Sequence, residues 1–558
     1  MNKKNNENLI IEEYENEFSY KKNKSNLKIE FNRVAFIFFI FLTISIIYSI
    51  QLLHLGSLKS SIKEIIPTIN KKDYRADIID RSGNYLVKTV SSIDIGINPV
   101  DVIDKKRLLI NLQLIFPNKD FSGIIKKLNK KNFFYLEKKI SAINYEKIML
   151  LGDKSIKPEE KLTRIYPQKN LFSHIIGQID NDNNGISGIE KSFDEKLKFI
   201  KEPLRLSVDT DIQFLVREEL KKFISIFQSK GGTAILMDVN NGEVISMVSY
   251  PDFNLNERVT INDQNYINRA TKGVYELGSV FKTFTVAAGL DKGLVEPQTE
   301  FLNLKKKINC GKSTIAEYDN KIMSNLTVEE ILIKSGNIGS VRIGQMLEIE
   351  GLKSFLKKIG ILNKIDFDIE EVGEPIPFRW GKCKLATTSF GHGITTTPLQ
   401  LTKAYAIISN GGLEIDPTLI MNKSNDNRKR IVKESTSKAI NLILRKIVVE
   451  GTAKLANVNG YEVGGKTGTA NKSIKGGYSK KKINTFSSIF PTSNPKFVLV
   501  VLMEETQISP DYIYEYRDGS EFKLKGSPRN TAAWTSVELA GQIIEKIGPI
   551  LATKYIEN

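Results

Sequence analysis

Histidine and cysteine are scarce in this chain. Three histidines (His54, His174, His392) and two cysteines (Cys310, Cys383) are spread over 558 residues. There is no Cys-x-x-Cys unit, and no histidine has metal-ligand spacing to a partner. A structural zinc site is therefore not expected. A chain of this size does not depend on disulfides, and the two cysteines leave a single bridge open. The scarcity also limits the catalytic options. A serine nucleophile usually takes histidine as its base, but His54 lies in an apolar N-terminal run and His174 in a polar segment before residue 225. Only His392 shares the C-terminal domain with the serines considered below, so a Ser-His-Asp triad is not expected. Internal repeats are also lacking. Lys and Arg outnumber Asp and Glu by 81 to 64, a formal net charge of +17. The lysines are dispersed rather than gathered into one block, which argues against a nucleic-acid partner. The preferred reading is a solvated chain rich in Lys, Asn and Ile, and a positive surface facing anionic lipid or an acidic polymer is the second option.

One long stretch lacks charge altogether. From Val34 to Leu58 no Asp, Glu, Lys or Arg occurs, and "VAFIFFIFLTISIIYSI" is nearly all apolar. About 20 helical residues span a bilayer core. A cleaved signal peptide has a shorter apolar region ending in small residues, whereas this one ends in "QLLHLG". An uncleaved anchor over residues 34–55 is expected. Lys21, Lys22, Lys24, Lys28 and Arg33 precede it, and only Lys59 and Lys63 follow in a comparable stretch. That bias places residues 1–33 in the cytoplasm and the bulk of the chain across the membrane.

Residues 56–225 read as a polar spacer or docking module without a catalytic constellation. Within it, "RADIIDRSGNYLVKTV" predicts two strands joined by a turn. A different composition begins near Gly231. "GGTAILMDVNNGEVISMVSY" predicts a hairpin around Asn-Asn-Gly. A mostly helical stretch follows from about 265 to 450, and strands return in "YEVGGKTGTAN", "NTFSSIFP" and "PKFVLVVLMEE" before a closing helix. Strands at both ends with helices between predict an α+β domain over residues 226–558, a single antiparallel sheet covered by helices. The lysine- and glycine-rich "NKSIKGGYSKKK" is expected to be a mobile loop between two of those strands.

Three short motifs fall in this domain. Ser279 and Lys282 form a Ser-x-x-Lys at the head of an apolar helix, "YELGSVFKTFTVAAGL". The spacing alone is weak, because Ser19/Lys22, Ser25/Lys28, Ser60/Lys63, Ser354/Lys357 and Ser479/Lys482 share it. On a helix, however, i and i+3 lie on one face, which would let the lysine amine reach the hydroxyl. Ser335-Gly336-Asn337 offers a hydroxyl to relay a proton and an amide to hold a carbonyl, although Ser82-Gly83-Asn84 has the same pattern in a turn. Lys466-Thr467-Gly468-Thr469 falls on a predicted strand, where a glycine lets a ligand backbone approach. The order of the three motifs within one domain carries more than any one of them.

These motifs resemble those of the penicillin-recognising serine transferases. The resemblance covers nearly everything after the anchor and is to the class B penicillin-binding proteins. "RADIIDRSG", "RIYPQKNLFSHIIGQID" and "GISGIEKSFDEKL" are similar to that class's non-catalytic pedestal, and "SYPDFNLN" to the start of its transpeptidase domain. "GNIGSVRIG", "SFGHGITTTPLQL" and "GYEVGGKTGTANK" resemble the cell-division, FtsI-type branch. Many relatives have proline where Leu277 stands and Ser-Ser-Asn where Gly336 stands; neither change removes a reacting group.

The resemblance implies a five-stranded antiparallel sheet covered by helices, behind one membrane helix and an elongated pedestal. It implies peptidoglycan D,D-transpeptidation during septal wall synthesis. Ser279 would be the nucleophile that forms an acyl-enzyme from a D-Ala-D-Ala stem peptide. Lys282 would be its base, made neutral by burial and by a positive Lys466, and Ser335 a proton relay. Asn337, Lys466, Thr467, Gly468 and Thr469 would bind substrate, with the backbone N–H groups of Ser279 and Thr469 as oxyanion hole. His392 has no role beyond structure or lining. No cofactor and no metal are implied. The implied partners are stem peptides on lipid-linked nascent strands, β-lactams, a SEDS-type membrane glycosyltransferase and other division proteins. The competing possibilities are an elongation-type class B enzyme, a D,D-carboxypeptidase or β-lactamase, and a non-catalytic division scaffold.

Overall fold

The computed structural model describes residues 24–57, 74–257, 264–311, 313–422, 428–474, 476–526 and 528–556. The chain divides into two units, one ending at Lys71 and the other beginning at Lys72. The first holds helix α1 (Lys24–Ser57), whose apolar part, Arg33–Leu53, is 21 residues long and unburied. At 1.5 Å per residue that is about 30 Å, the thickness of a hydrocarbon core. The Thr43 hydroxyl donates to Phe39 O at 2.6 Å, so this polar group is satisfied within the helix. The expected cytoplasmic tail up to residue 23, with Lys21 and Lys22, lies outside the described residues. So do Lys59, Lys63 and the expected start of the spacer over 58–73.

The second unit opens with a small sheet. Its long strand, Tyr85–Ile97, pairs antiparallel with Ile78–Ile79, Phe134–Glu137 and Ile156–Ile165, and Ile78–Ile79 pairs in parallel with Leu204–Arg205. The two strands predicted from "RADIIDRSGNYLVKTV" are present. Asp80 shapes the turn between them, accepting from the N–H groups of Ser82 and Asn84 at 2.9 and 2.8 Å. A buried ion cluster holds the sheet to the segment that follows. Arg75 Nε donates to Glu190 Oε2 at 2.6 Å, Arg164 Nε to Glu190 Oε1 at 2.8 Å, and Arg75 NH1 to Asp194 Oδ1 at 2.6 Å. Beyond this cluster, residues between Ile95 and Ile156 pack a core of their own around Leu108, Leu112, Phe134 and Ile148.

Helix α2 (Thr210–Ile226) starts at Asp209, whose carboxylate caps the N–H groups of Asp211 and Ile212. Its buried face packs on the main sheet. There Gln213 acts as a substitute strand partner, donating to Met247 O and accepting from Met247 N. That sheet has five strands: β1 (Gly231–Asp238), β2 (Val244–Tyr250), β3 (Gly464–Ile474), β4 (Gly477–Phe490) and β5 (Phe497–Glu504). Their order is β3-β4-β5-β1-β2, and all neighbours are antiparallel. Every residue of β5 is buried, because helices cover both faces of the sheet.

The chain between β2 and β3 is less helical than expected. Helices α3 (Lys282–Asp291), α4 (Val328–Ile333), α5 (Asn337–Lys358), α6 (Pro398–Ser409) and α7 (Glu434–Val449) are present. Two short ribbons interrupt them, Glu300–Phe301 with Leu326–Thr327 and Lys307–Cys310 with Ser313–Ala316. The turn of the second needs φ +62° at Gly311, a conformation glycine adopts freely. Cys310 and Cys383 form a disulfide with Cα atoms 5.4 Å apart, tying that ribbon to the helix Lys382–Thr388. The expected loop "NKSIKGGYSKKK" is mostly not a loop. β3 runs to Ile474 and β4 starts at Gly477, with Asn471 opposite Lys482 and Ser473 opposite Tyr478. Two of its lysines are held by carboxylates at the end of β5 and just beyond it: Lys472 by Glu504 and Glu505, and Lys481 by Glu505. Helix α8 (Ser536–Leu551) closes the domain against α2 and the sheet.

The Glu190 cluster yields a first prediction. Glu190→Gln leaves two buried guanidinium groups with half their counter-charge. Breaking such a pair costs about 3–5 kcal/mol. Chemical denaturation should show a loss of that size in the transition reporting on the small sheet. A loss below about 1 kcal/mol, the scale of an exposed pair, would show that the cluster is not what holds this sheet.

Candidate active site

Ser279 lies in a single 3₁₀ turn, Gly278–Phe281, directly before α3. Val280, Phe281, Phe284, Val286, Ala287 and Ala288 bury this turn and helix on several sides, and Lys282, the first residue of α3, is fully enclosed. Gly278 and Gly468 explain how the turn meets the sheet. A Cβ on Gly468 would lie 2.2 Å from Leu277 O, and one on Gly278, at φ +64°, would lie 2.8 Å from Thr469 O. The Ser279 turn and β3 thus touch backbone to backbone, which brings Ser279 and Thr469 together.

Ser335 sits between α4 and α5. Helix α4 starts with a reciprocal Thr327/Glu330 cap. It ends abruptly, with Ser335 at φ +57° and Gly336 N donating back to Ile331 O at 2.8 Å. Left-handed backbone on a serine is uncommon and costs about 1–3 kcal/mol when it is held in place. It lets α5 begin with only three residues between it and the end of α4, so that Ser335 and Asn337 face α3 together. Lys282 Nζ donates to Ser335 O, to Ser335 Oγ at 3.2 Å and to Asn337 Oδ1 at 2.7 Å. From β3, an edge strand, Lys466 Nζ donates to the same Ser335 Oγ at 2.9 Å and to Thr467 O at 3.1 Å. The expected reach of Lys282 to Ser279 is replaced by these bonds to Ser335 and Asn337; Ser279 is not among its hydrogen-bond partners.

Above these groups lies a cleft of about 1090 Å³. Ser279, Ser335, Asn337, Thr467 and Thr469 line it, while Lys282 and Lys466 lie beneath and reach it through Ser335. Burial sets the electrostatics. It lowers the Lys282 amine to about 7, against a smaller opposing pull from Glu317. It lowers Lys466 well below the ordinary lysine value, and repulsion from Lys282 adds to the effect. The repulsion between the two amines is mutual, as they share Ser335 Oγ, and Glu317 is a further charge on Lys282, with the opposite sign.

Several other residues at the site escape a motif-based reading. Glu317 accepts from the N–H groups of Asn337 and Ile338 at 2.7 and 2.8 Å. Glu276, three residues before Ser279, accepts from Tyr478 OH at 2.8 Å and Gly393 N at 2.9 Å. His392 lines the cleft between the rings of Phe390 and Tyr478, with Nδ1 3.8 Å from Glu276 Oε2. Thr452 shares a 2.9 Å hydrogen bond with Thr467. On the far rim, Asp319 faces Arg529 at 3.6 Å. Of these only His392 was singled out in the sequence, as a structural or lining residue, and it does line the cleft. Among the described residues no cluster of His, Cys, Asp and Glu is arranged to hold a metal.

The family model described as penicillin binding protein transpeptidase domain matches residues 232–521, and the penicillin-binding protein dimerisation domain matches residues 71–222. The chain is 29% identical over 499 residues to the probable peptidoglycan D,D-transpeptidase FtsI of Caulobacter vibrioides, covering 86% of this chain and 82% of that protein. It is 32% identical over 305 residues to the probable peptidoglycan D,D-transpeptidase PenA of Neisseria flavescens, covering 54% of this chain and 75% of that one. In fold it is similar to penicillin binding protein 3 from Mycobacterium tuberculosis, solved in complex with aztreonam. That likeness has a TM-score of 0.65 at 21% identity and covers 86% of this chain and 97% of the other. A transpeptidase domain matched over more than half the chain, behind a matched dimerisation domain, makes this chain a member of the penicillin-binding protein transpeptidase family.

Proposed function

We propose that this chain is a membrane-anchored peptidoglycan D,D-transpeptidase of septal wall synthesis, with Ser279 as its acylated nucleophile. One observation carries the assignment of roles: a single hydroxyl, Ser335 Oγ, is shared by two buried lysine amines beneath a cleft that displays Ser279. Lys282, lowered to about 7 by burial, is neutral often enough at physiological pH to take the Ser279 proton. Ser279 Oγ attacks the carbonyl of the penultimate D-Ala. The C–N bond breaks, and the departing D-Ala amine takes a proton through Ser335. Asn337 holds the peptide side of the donor. Thr467, Thr469 and Lys466 receive its terminal carboxylate. That carboxylate stabilises the Lys466 cation, which in turn favours neutral Lys282, so substrate binding itself prepares the base. The backbone N–H groups of Ser279 and Thr469, in adjoining segments, stabilise the oxyanion. An amine from a second stem peptide then displaces Ser279 and forms the cross-link.

The proposed organisation is a cytoplasmic tail (1–33), an anchor (34–55), a pedestal (56–225) and a periplasmic transpeptidase domain (226–558). The charge bias around the anchor supports that orientation. A domain that cross-links without polymerising needs newly made strands, so a SEDS-type glycosyltransferase and other division proteins are its proposed partners. β-Lactams, as mimics of the donor, should acylate the same serine.

Ser279→Ala should abolish covalent labelling by fluorescent penicillin while thermal denaturation stays near that of the parent. An adduct mapped by mass spectrometry to any other residue would sink the assignment. Lys282→Arg keeps the cation but cannot supply a neutral amine, and acylation should fall by about 10²–10⁴-fold, the range of a lost general base. In the parent, acylation should rise with pH through about 7 and then level, because the deprotonated amine is the active form. A rate flat from pH 5.5 to 8.5 would remove Lys282 from that role. An exported form lacking residues 1–55 should acylate normally yet leave a depleted strain filamentous. Rounded, non-filamentous depleted cells would point to the elongation branch instead.

A further inference from the structure

We propose that Glu317 is a positioning residue for acylation: its carboxylate holds the Ser335–Asn337 turn in register with Lys282 from outside the cleft. Helix α5 begins without a cap of its own. Its N-cap residue is Gly336, which has no side chain to give, and the Asn337 amide is turned toward Lys282 instead. Glu317 supplies the missing acceptors from another element, taking Asn337 N at 2.7 Å on one oxygen and Ile338 N at 2.8 Å on the other. The residue before it completes the grip. Ala316 O accepts from Asn337 Nδ2 at 2.8 Å, so the Oδ1 end of that amide is the one left for Lys282 Nζ, at 2.7 Å. Residues 316 and 317 together therefore fix both the backbone and the amide orientation of Asn337.

The support under Glu317 is cross-linked to a neighbouring helix. It follows the ribbon Lys307–Ala316, which the Cys310–Cys383 disulfide ties to the helix Lys382–Thr388, and Glu317 N donates to Lys306 O at 3.0 Å. Glu317 does not line the cleft; its neighbours Tyr318 and Asp319 do. It therefore acts through Asn337 and Lys282 and not on substrate. Its charge acts in the same place. Two charged groups bear on Lys282, Lys466 from β3 and Glu317 from the ribbon. The turn contributes only the uncharged Ser335 and Asn337. Tyr405 from α6 bonds Thr283 and Val280 O and is held protonated by burial. Glu317 is thus the anion that opposes the burial of Lys282.

The inference rests on Ser279 and Lys282 acting as described above, so the parent protein is the control. It must label at Ser279 with a rate that rises through about pH 7; failure there sinks the functional reading, whatever Glu317 does. Given that control, Glu317→Gln in the full-length, detergent-solubilised protein should acylate about 10–100-fold more slowly with benzylpenicillin, the scale of losing hydrogen bonds to a charged acceptor. The fall should lie in the acylation rate constant and not in the preceding binding constant. Removing the anion also makes the protonated amine costlier, so the rising limb of the pH–rate profile should move to lower pH by ~0.5 unit or more. Glu317→Asp, which keeps the charge, should return the limb toward its parental position. An unchanged rate in Glu317→Gln overturns the proposal. A slower rate with an unmoved limb also overturns it, because that marks Glu317 as a helix cap alone. Should Glu317→Gln not fold, the acylation rate is read on Glu317→Asp, whose carboxylate is drawn back by one methylene and should hold the turn less well. A rate equal to the parent's then overturns it.

Discussion

Two buried lysine amines meet at one serine hydroxyl on the floor of the cleft. Lys282 and Lys466 are both fully buried, and neither forms an ion pair with a carboxylate among the described residues. Burying even one such charge costs several kcal/mol after relaxation, and two within reach of the same oxygen also repel. The protein meets that cost by allowing the amines to be less than fully protonated and by surrounding them with neutral acceptors: Ser335 O and Oγ, Asn337 Oδ1, Thr467 O and Oγ1. A pair of this kind holds its proton loosely, and a loosely held proton is what acyl transfer at a serine requires.

Much of the surrounding architecture can be understood as support for that pair. Helix α3 must be apolar on nearly every side to carry Lys282 inward, which is why "VFKTFTVAAGL" has no polar face. The sheet must present an edge for Lys466, and the order β3-β4-β5-β1-β2 leaves β3 outermost. The turn before α3 must touch that edge, and glycines at 278 and 468 make the contact possible. The reversal at Ser335 accepts left-handed backbone so that α4 and α5 can deliver two side chains from adjacent ends. Three segments far apart in the chain therefore meet within the reach of hydrogen bonds.

What could be read from the sequence follows the same division. Ser279, Lys282, Ser335, Asn337 and Lys466 to Thr469 lie in short contiguous motifs, and their order along the chain identifies them together. The single antiparallel sheet was legible because β1, β2 and β5 are apolar runs, the first two joined by a clear Asn-Asn-Gly turn. Glu317 was not, because it is one of 64 acidic residues and lies 20 positions from the backbone it caps; only the folded chain joins them. The end of the β3–β4 hairpin was misread for a related reason. Its lysines look like a solvated loop until Glu504 and Glu505, from the end of β5 and just beyond it, are placed beside them. The Cys310–Cys383 bond spans 73 positions and has no local signal.

The distribution of the cores gives the pedestal a divided character. One continuous apolar core runs from Ala76 and Phe172 through α2 into the main sheet and on to α8. A second, smaller core lies wholly within residues 95–156. Elements that share a core tend to unfold and move together, whereas a satellite core can open or reorient at lower cost. The base of the pedestal, with its Arg75–Glu190–Arg164 cluster, is therefore mechanically part of the transpeptidase domain. The region around Leu108 and Ile148 is joined to it through the long strand Tyr85–Ile97 and its partner Ile156–Ile165. These two strands pass next to the ion cluster: Arg164 Nη1 donates to Thr89 Oγ1 at 2.8 Å and to Arg75 O at 3.0 Å. The buried charges thus stand where the independent module meets the part that shares its core with the catalytic sheet.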